Sequence, residues 1–144
     1  MKKINQQATQ IFSQIIDKMG NRSHMKLESS GYMPLTVELL SQFITTAAGQ
    51  GRLYSLCHYY KLNGDLMRDP EMCFLVVDNR TEPNDFKQLH ICPQMYQDDN
   101  FGKYEESIEL ENNAVMVFWP AIQHKHCVFA NYWLNNLQKQ GFIS

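Results

Sequence analysis

Two strongly apolar stretches, residues 53–62 and 72–77, constrain the fold of this chain more than any other part of it. The first, LYSLCHYYKL, is rich in aromatic side chains and is apolar on both faces, and the second, MCFLVV, is continuously apolar. Such runs are typical of β-strands that are covered on both sides. A charged segment joins them, so the sequence predicts two strands of one antiparallel sheet.

Weaker strand patterns follow the second run. QLHICPQMYQ, residues 88–97, contains Pro93, which indicates a sheet edge or a bulge. KYEESIEL, residues 103–110, alternates apolar and polar side chains, so one side of this strand should meet water. ENNAVMVF, residues 111–118, fits a tight turn at Asn112–Asn113 and a short last strand.

Helical patterns flank this β-rich region. Residues 3–19 repeat apolar side chains at helical spacing, and Gly20 stands where a C-terminal cap belongs. A second helix begins at Pro120, a residue favoured at the first helical position, and ends before Gly141. The sequence therefore predicts a single α+β domain over residues 1–144. Its architecture is an antiparallel β-meander of about five strands, with an N-terminal and a C-terminal helix packed on the sheet.

Length and charge narrow the classes of function. The chain has 144 residues, enough to bury a core without metals or disulfides, and a net charge of −2 with neutral histidines. Nucleic-acid binding needs a basic surface, so this charge disfavours nucleic acid as a partner. The N-terminus lacks the apolar run of a signal peptide, and no segment is long enough to span a bilayer. We expect a cytoplasmic protein without a membrane partner, and nothing indicates a cofactor.

The cysteines are interpreted as free core thiols. Cys57, Cys73, Cys92 and Cys127 are widely spaced, unlike the ligands of a zinc site, and a reducing cytoplasm disfavours disulfides. A cysteine nucleophile beside a histidine is the alternative, but no motif of fixed spacing supports it. His126 lies on the buried stripe of the last helix, where a hydrogen-bonded core histidine is expected.

The charged segment between the two apolar runs is the first candidate site. Residues 63–70 form an eight-residue connection, longer than the usual hairpin loop of about 2–5 residues, and long loops are more often functional. Asp65, Asp69 and Glu71 carry the oxygen ligands that divalent cations prefer. Arg68 would compete for the same carboxylates as a forked ion pair, and the Asn-Gly and Asp-Pro pairs are ordinary turn chemistry.

Two further features extend this candidate site. Leu66 and Met67 lie at the tip of the segment, where large apolar side chains either fold back onto the core or contact a partner. A second loop, MYQDDNFGKY, carries Asp98 and Asp99 ahead of a turn signature. If the two loops face each other, their carboxylates would suit one or two metal ions and phosphodiester cleavage.

Four strings of residues carry a family resemblance: YMPLTVELL, HYYKLNGDLMRDPEM, YQDDNFGKY and WLNNLQKQGF. Over about residues 25–144, the chain resembles a family of small bacterial domains of unknown function that occur in phages and mobile genetic elements. Periodicity alone leaves residues 35–43 open between helix and strand, and the resemblance favours a strand. It also implies that TTAAGQG, residues 45–51, lengthens a loop. It implies no reaction.

These observations lead to two hypotheses about function. The first is a non-catalytic binding or accessory protein of a bacterial mobile element or phage that contacts an unknown protein or small ligand. The second is a metal-dependent enzyme acting on phosphodiesters, with Asp65, Asp69 and Glu71 as ligands. We favour the first, because acid clusters without a catalytic motif are usually solvated turns. The candidate binding residues are His58, Tyr60, Asn63, Asp65, Leu66, Met67, Arg68, Asp69, Glu71, Tyr96, Gln97, Asp98 and Asp99.

Overall fold

The computed structural model describes residues 1–143, in which two α-helices enclose a run of β-strands along the chain. The helices are α1 (Gln6–Met19) and α2 (Pro120–Lys139), and a short 3₁₀ turn spans Phe86–Gln88. The strands are β1 (His24–Leu27), β2 (Leu35–Thr46), β3 (Gly49–Leu62), β4 (Asp65–Asp78), β5 (Leu89–Asp98), β6 (Lys103–Glu106), β7 (Ile108–Glu111) and β8 (Ala114–Phe118).

All eight strands belong to one mixed sheet. The strand order is β6-β5-β4-β3-β2-β8-β7, and β1 pairs with the first half of β2. The α+β class, the two terminal helices and the antiparallel path from β2 to β6 confirm the prediction. The expected number of about five strands is wrong. Short strands flank the central ones, and β8 lies parallel to β2 through the pair Thr45–Ala114.

The β3–β4 connection is much shorter than predicted. The turn consists of Asn63 and Gly64, with φ angles of 53° and 86°. Two consecutive residues with positive φ are typical of the tight turn that suits the twist of paired strands. The eight-residue loop is therefore wrong: residues 65–70 belong to β4, where polar side chains occupy a partly solvent-facing strand.

The connection between β2 and β3 is also tight. Residues 35–46 form one strand, as the resemblance implied, and only Ala47 and Ala48 separate it from β3. The expected loop over residues 45–51 is wrong because its ends pair with each other, Thr46 with Gly49 and Thr45 with Gln50.

A kink at Ser107 divides the predicted strand KYEESIEL into β6 and β7. The Ser107 N–H donates to the Gln94 carbonyl at 2.9 Å, and its hydroxyl donates to the Pro93 carbonyl at 2.8 Å. β6 pairs with β5, whereas β7 pairs with β8 at the other end of the strand order. Pro93 lies beside a register shift of β5, which confirms the predicted bulge.

Local sequence accounts for the ends of both helices. The Asn5 side chain accepts the N–H of Ala8 at 2.8 Å, so α1 begins after Asn5 rather than at residue 3. Gly20 ends α1 with a φ of 59°, and Pro120 opens α2, as predicted. Neither α-helix within residues 1–143 is long and apolar enough to cross a membrane.

The sheet has a core on each face. On the helix face, α1 and α2 pack over alternate residues of the central strands, such as Leu56, Met72 and Phe74. On the opposite face, the β7–β8 hairpin covers a smaller apolar cluster that includes Leu75 and Cys92. We call this second side the hairpin face.

Candidate functional site

Arg68 lies at the centre of the predicted charged site. Its guanidinium pairs with Glu71 and with Asp99, each at 3.4 Å. The two acidic segments therefore do meet in space, but a guanidinium lies between their carboxylates, where a bound cation would have to lie. Within residues 1–143, no group of three His, Cys, Asp or Glu side chains is arranged to hold a metal ion.

Glu71 also contacts buried side chains on the hairpin face of the sheet. Its carboxylate accepts the Ser55 hydroxyl at 2.6 Å and lies beside the buried thiols of Cys57 and Cys73. Burial, and then the charge of Glu71, raises the pKa of Cys57 to about 12 and raises the pKa of Cys73 as well. Both thiols therefore stay protonated at neutral pH, which does not suit a nucleophile.

The hairpin tip has few contacts with the rest of the domain. Asp65 is exposed, and Leu66 is 58% exposed opposite Lys61 in the strand pair. Met67 and Asp69 are half-buried, so the predicted apolar pair does not fold back as a unit. Asp65 and Asp69 take no part in the ion pairs of Arg68.

The remaining predicted residues are divided between the two faces. His58 is buried on the helix face, where its Nδ1–H donates to the Pro34 carbonyl at 3.0 Å and its ring packs against Trp133. Tyr96 packs on the same face against Phe129 of α2. These positions indicate structural roles, and they separate both residues from Arg68.

Two further predicted residues, Asp98 and Tyr60, fix the turn that follows β5. Asp98 is buried and accepts the backbone N–H of Asn100 at 2.9 Å. The Tyr60 hydroxyl donates to the Asn100 side chain, which ties this turn to β3. Gln97 lies opposite Glu71 in the sheet. Hydrogen bonds and ion pairs thus connect the polar side chains around Arg68 and the turn after β5, and most of the charged groups already have partners.

A partly open cavity of about 470 Å³ lies further along the hairpin face. Its floor is formed by Leu75, Val77 and Cys92, and one wall by residues of β8, including Ala114 and Phe118. Leu75 and Cys92 also belong to the hairpin-face core, so the floor is anchored in the fold. We call this space the apolar cavity.

Two features of the strands create the apolar cavity. β8 is paired with β2 at Thr45–Ala114, and within the described residues no further pair holds the two strands together. Gly51 leaves room for the Leu75 side chain of the floor, because a Cβ at this position would lie 2.9 Å from the Cδ1 atom of Leu75. The space therefore follows from diverging strands above a closely packed floor.

Lys3 and His90 add polar groups to this lining. The segment before α1 is held beside β5, because the Ile4 N–H donates to the Ile91 carbonyl at 2.9 Å. Burial, and then the positive charge of Lys3, lowers the pKa of His90. Burial raises the pKa of the Cys92 thiol to about 11. The cavity therefore combines the Lys3 side chain with an imidazole and a thiol that are uncharged at neutral pH, and Met1 also lines it.

A wider groove of about 930 Å³ lies on the helix face, between α1 and the loop after β4. Its lining mixes glutamine, charged and apolar side chains, and one of its arginines, Arg80, is already paired with Asp78 at 2.8 Å. Ligand pockets in proteins are mostly apolar, with a few placed polar groups. The apolar cavity fits that description better than this groove.

Sequence reasoning missed the apolar cavity because its lining comes from distant parts of the chain. The N-terminal segment, the β2–β3 turn, two central strands and β8 all contribute. One signal was present in the sequence: AVMVF is apolar on both faces, although it forms a short strand near the end of the strand order. Such a strand has more apolar surface than its neighbours cover, because β7 pairs with it along its length but β2 pairs with it at one position.

Comparison with protein families gives one match. The family model described as a domain of unknown function, DUF6908, matches residues 10–143. The match begins within α1 and includes all four strings that carried the sequence resemblance. No curated protein and no solved structure matches the chain.

Proposed function

The chain belongs to the DUF6908 family of domains of unknown function, and we propose that it is a non-catalytic binding module that holds a small ligand in the apolar cavity. The observation that carries this proposal is the cavity itself, about 470 Å³ in volume with an anchored apolar floor. Ligand pockets typically measure about 300–1,000 Å³.

The floor supports binding because it is already in place without a ligand. Leu75 has no exposed surface and Cys92 is 5% exposed, so both are fixed by the core beneath them. A ligand that enters a preformed site does not have to order these side chains. It gains about 25 cal/mol for each Å² of apolar surface removed from water.

The titratable groups near both candidate sites favour binding over catalysis. The Cys92 thiol in the cavity stays protonated at neutral pH, because burial raises its pKa to about 11. At the charged site, Arg68 already pairs with Glu71 and Asp99. The metal-dependent phosphodiesterase has less support, because Asp65, Asp69 and Glu71 are not arranged within residues 1–143 as a group that could hold a metal ion.

The likeness of HYYKLNGDLMRDPEM to proteins of phages and mobile elements supports a further part of the proposal. We place the protein among the accessory proteins of such an element. In this role, ligand binding would act through stability or through contact with another protein rather than through a reaction.

A cavity-filling substitution tests the ligand site. Decanol, an apolar probe with a small neutral head group, should raise the melting temperature of the wild type. At tenfold its Kd, a ligand stabilises the folded state by about 1.4 kcal/mol. Ala114→Leu places a larger side chain in the cavity wall and should abolish most of that gain.

Ala121→Leu provides the matched control, because Ala121 is exposed at the start of α2 and does not line the cavity. This variant should respond to decanol as the wild type does. The proposal fails if decanol leaves the wild-type melting temperature unchanged, or if Ala114→Leu gains as much stability as the wild type.

A further inference from the structure

The polar side chains that line the apolar cavity are basic or neutral. Its lining includes Lys3 and His90 but no aspartate or glutamate among the described residues. An ammonium group has three N–H donors, and one of those of Lys3 contacts the Lys87 carbonyl at 3.3 Å. The charge of Lys3 therefore has no carboxylate partner within the cavity.

The backbone places these two side chains together. The hydrogen bond from Ile4 to Ile91 holds the N-terminal segment beside β5, and a second one, from the Lys2 N–H to the Gln123 side chain at 2.7 Å, ties it to α2. Lys3 is exposed whereas His90 is half-buried, so the ammonium lies on the solvent side and the imidazole deeper. The pair thus marks the open end of a pocket with an apolar floor.

We propose that the apolar cavity binds a small carboxylate with an apolar body, whose carboxylate lies between Lys3 and His90. This inference rests on the proposed ligand-binding function and adds the class of ligand. The ammonium supplies charge and the neutral imidazole supplies one N–H donor, while Val115 and Phe118, which line the cavity and keep exposed surface, contact the apolar part. A cationic amphiphile would instead meet the like charge of Lys3.

Three probes of equal chain length separate the head group from the apolar body: decanoate, decanol and decylammonium. Calorimetric titration of the full chain should give the tightest binding for decanoate and the weakest for decylammonium. The contact with Lys3 is solvent-exposed, so Lys3→Gln should weaken decanoate binding by about two- to fivefold and leave decanol binding unchanged. High salt should reduce the preference for decanoate.

Lys26→Gln serves as the control, because Lys26 is an exposed lysine on β1 that does not line the cavity. It should leave the binding of all three probes unchanged. If decanol binds and decanoate binds no more tightly, the carboxylate inference is overturned while the ligand site stands. If no probe binds, the ligand site and the inference fall together. An equal loss of affinity in Lys3→Gln and Lys26→Gln would also overturn the inference, because net charge alone would then explain the preference.

Discussion

Arg68 and Asp99 are joined by two hydrogen bonds that involve the Arg68 backbone, in addition to their ion pair. The Arg68 N–H donates to the Asp99 carboxylate at 2.8 Å, and the Asp99 N–H donates to the Arg68 carbonyl at 3.0 Å. The turn after β5 is therefore fastened to β4 by two bonds that do not involve the guanidinium. We therefore expect the Asp99 carboxylate to stabilise the attachment of this turn to β4 more than the Arg68 guanidinium does.

The first prediction compares these two side chains. Asp99→Ala removes the acceptor of a half-buried backbone N–H and should lower the free energy of unfolding by about 1–2 kcal/mol. Arg68→Ala removes ion pairs whose guanidinium is 39% exposed and therefore partly screened by water, and it should cost less than about 1 kcal/mol. Urea denaturation measures both, with exposed Asp65→Ala as a control near zero. A larger loss for Arg68→Ala than for Asp99→Ala would contradict this view of the junction.

The second prediction concerns the tight turn at Gly64. Its φ of 86° disfavours a β-branched residue, although a Cβ there would meet no atom within 4 Å. Gly64→Val should therefore lower the free energy of unfolding by about 1–3 kcal/mol through backbone strain alone. Gly64→Asn should cost less, because asparagine tolerates positive φ. Equal losses in thermal melts of the two variants would show that strain is not the cause.

The third prediction concerns the contact between Gly51 and Leu75. Gly51→Ala would place a methyl group 2.9 Å from the Leu75 Cδ1 atom, which is too close. We expect a loss of about 1–3 kcal/mol in the free energy of unfolding from overpacking. Adding Leu75→Val should recover part of that loss beyond the sum of the single effects, because it removes atoms from the crowded side. Strictly additive losses in this double-mutant cycle would rule out the contact.

The fourth prediction concerns the pH dependence contributed by His126. Its ring is buried, Nε2–H donates to Glu105 at 3.1 Å, and Nδ1 has no partner within the described residues. Burial lowers the pKa of His126 despite the opposing effect of Glu105, and Lys103 and Lys125 act in the same direction as burial. The unfolded chain therefore binds a proton on this side chain at a higher pH than the folded chain does.

This difference between the folded and unfolded chain sets the direction in which stability changes with pH. The contribution of His126 to stability is fully present above its ordinary pKa of 6.5 and is lost as the pH falls through and below that value. We expect the free energy of unfolding to fall less between pH 7 and pH 5.5 in His126→Gln than in the wild type. Denaturation at both pH values measures this, with exposed His124→Gln as the control. Parallel pH profiles for wild type and His126→Gln would contradict it.

Sequence patterns predicted those elements whose signal is local. The helix caps at Gly20 and Pro120, the Asn112–Asn113 turn and the central apolar strands all depend on a few neighbouring residues, and the structure confirms them. The division at Ser107 depends on carbonyl groups of β5, more than ten residues away, so an alternating pattern did not show it.

The candidate site was predicted only in part for the same reason. The acidic segments meet because β4 and β5 pair with Glu71 opposite Gln97, a register that no short motif encodes. The charged side chains then satisfy one another instead of converging on a metal. The apolar cavity needs five separate segments, and its position depends on where β8 diverges from β2.

The kink at Ser107 also has a consequence for how the sheet comes apart. β6 and β7 are consecutive parts of one short run, and they pair with β5 at one end of the strand order and with β8 at the other. Separating β6 from β5, or β7 from β8, therefore displaces the same few residues around Ser107. We expect amide protons of β6 and β7 to exchange with solvent at similar rates, through one cooperative opening rather than through independent fraying at two ends.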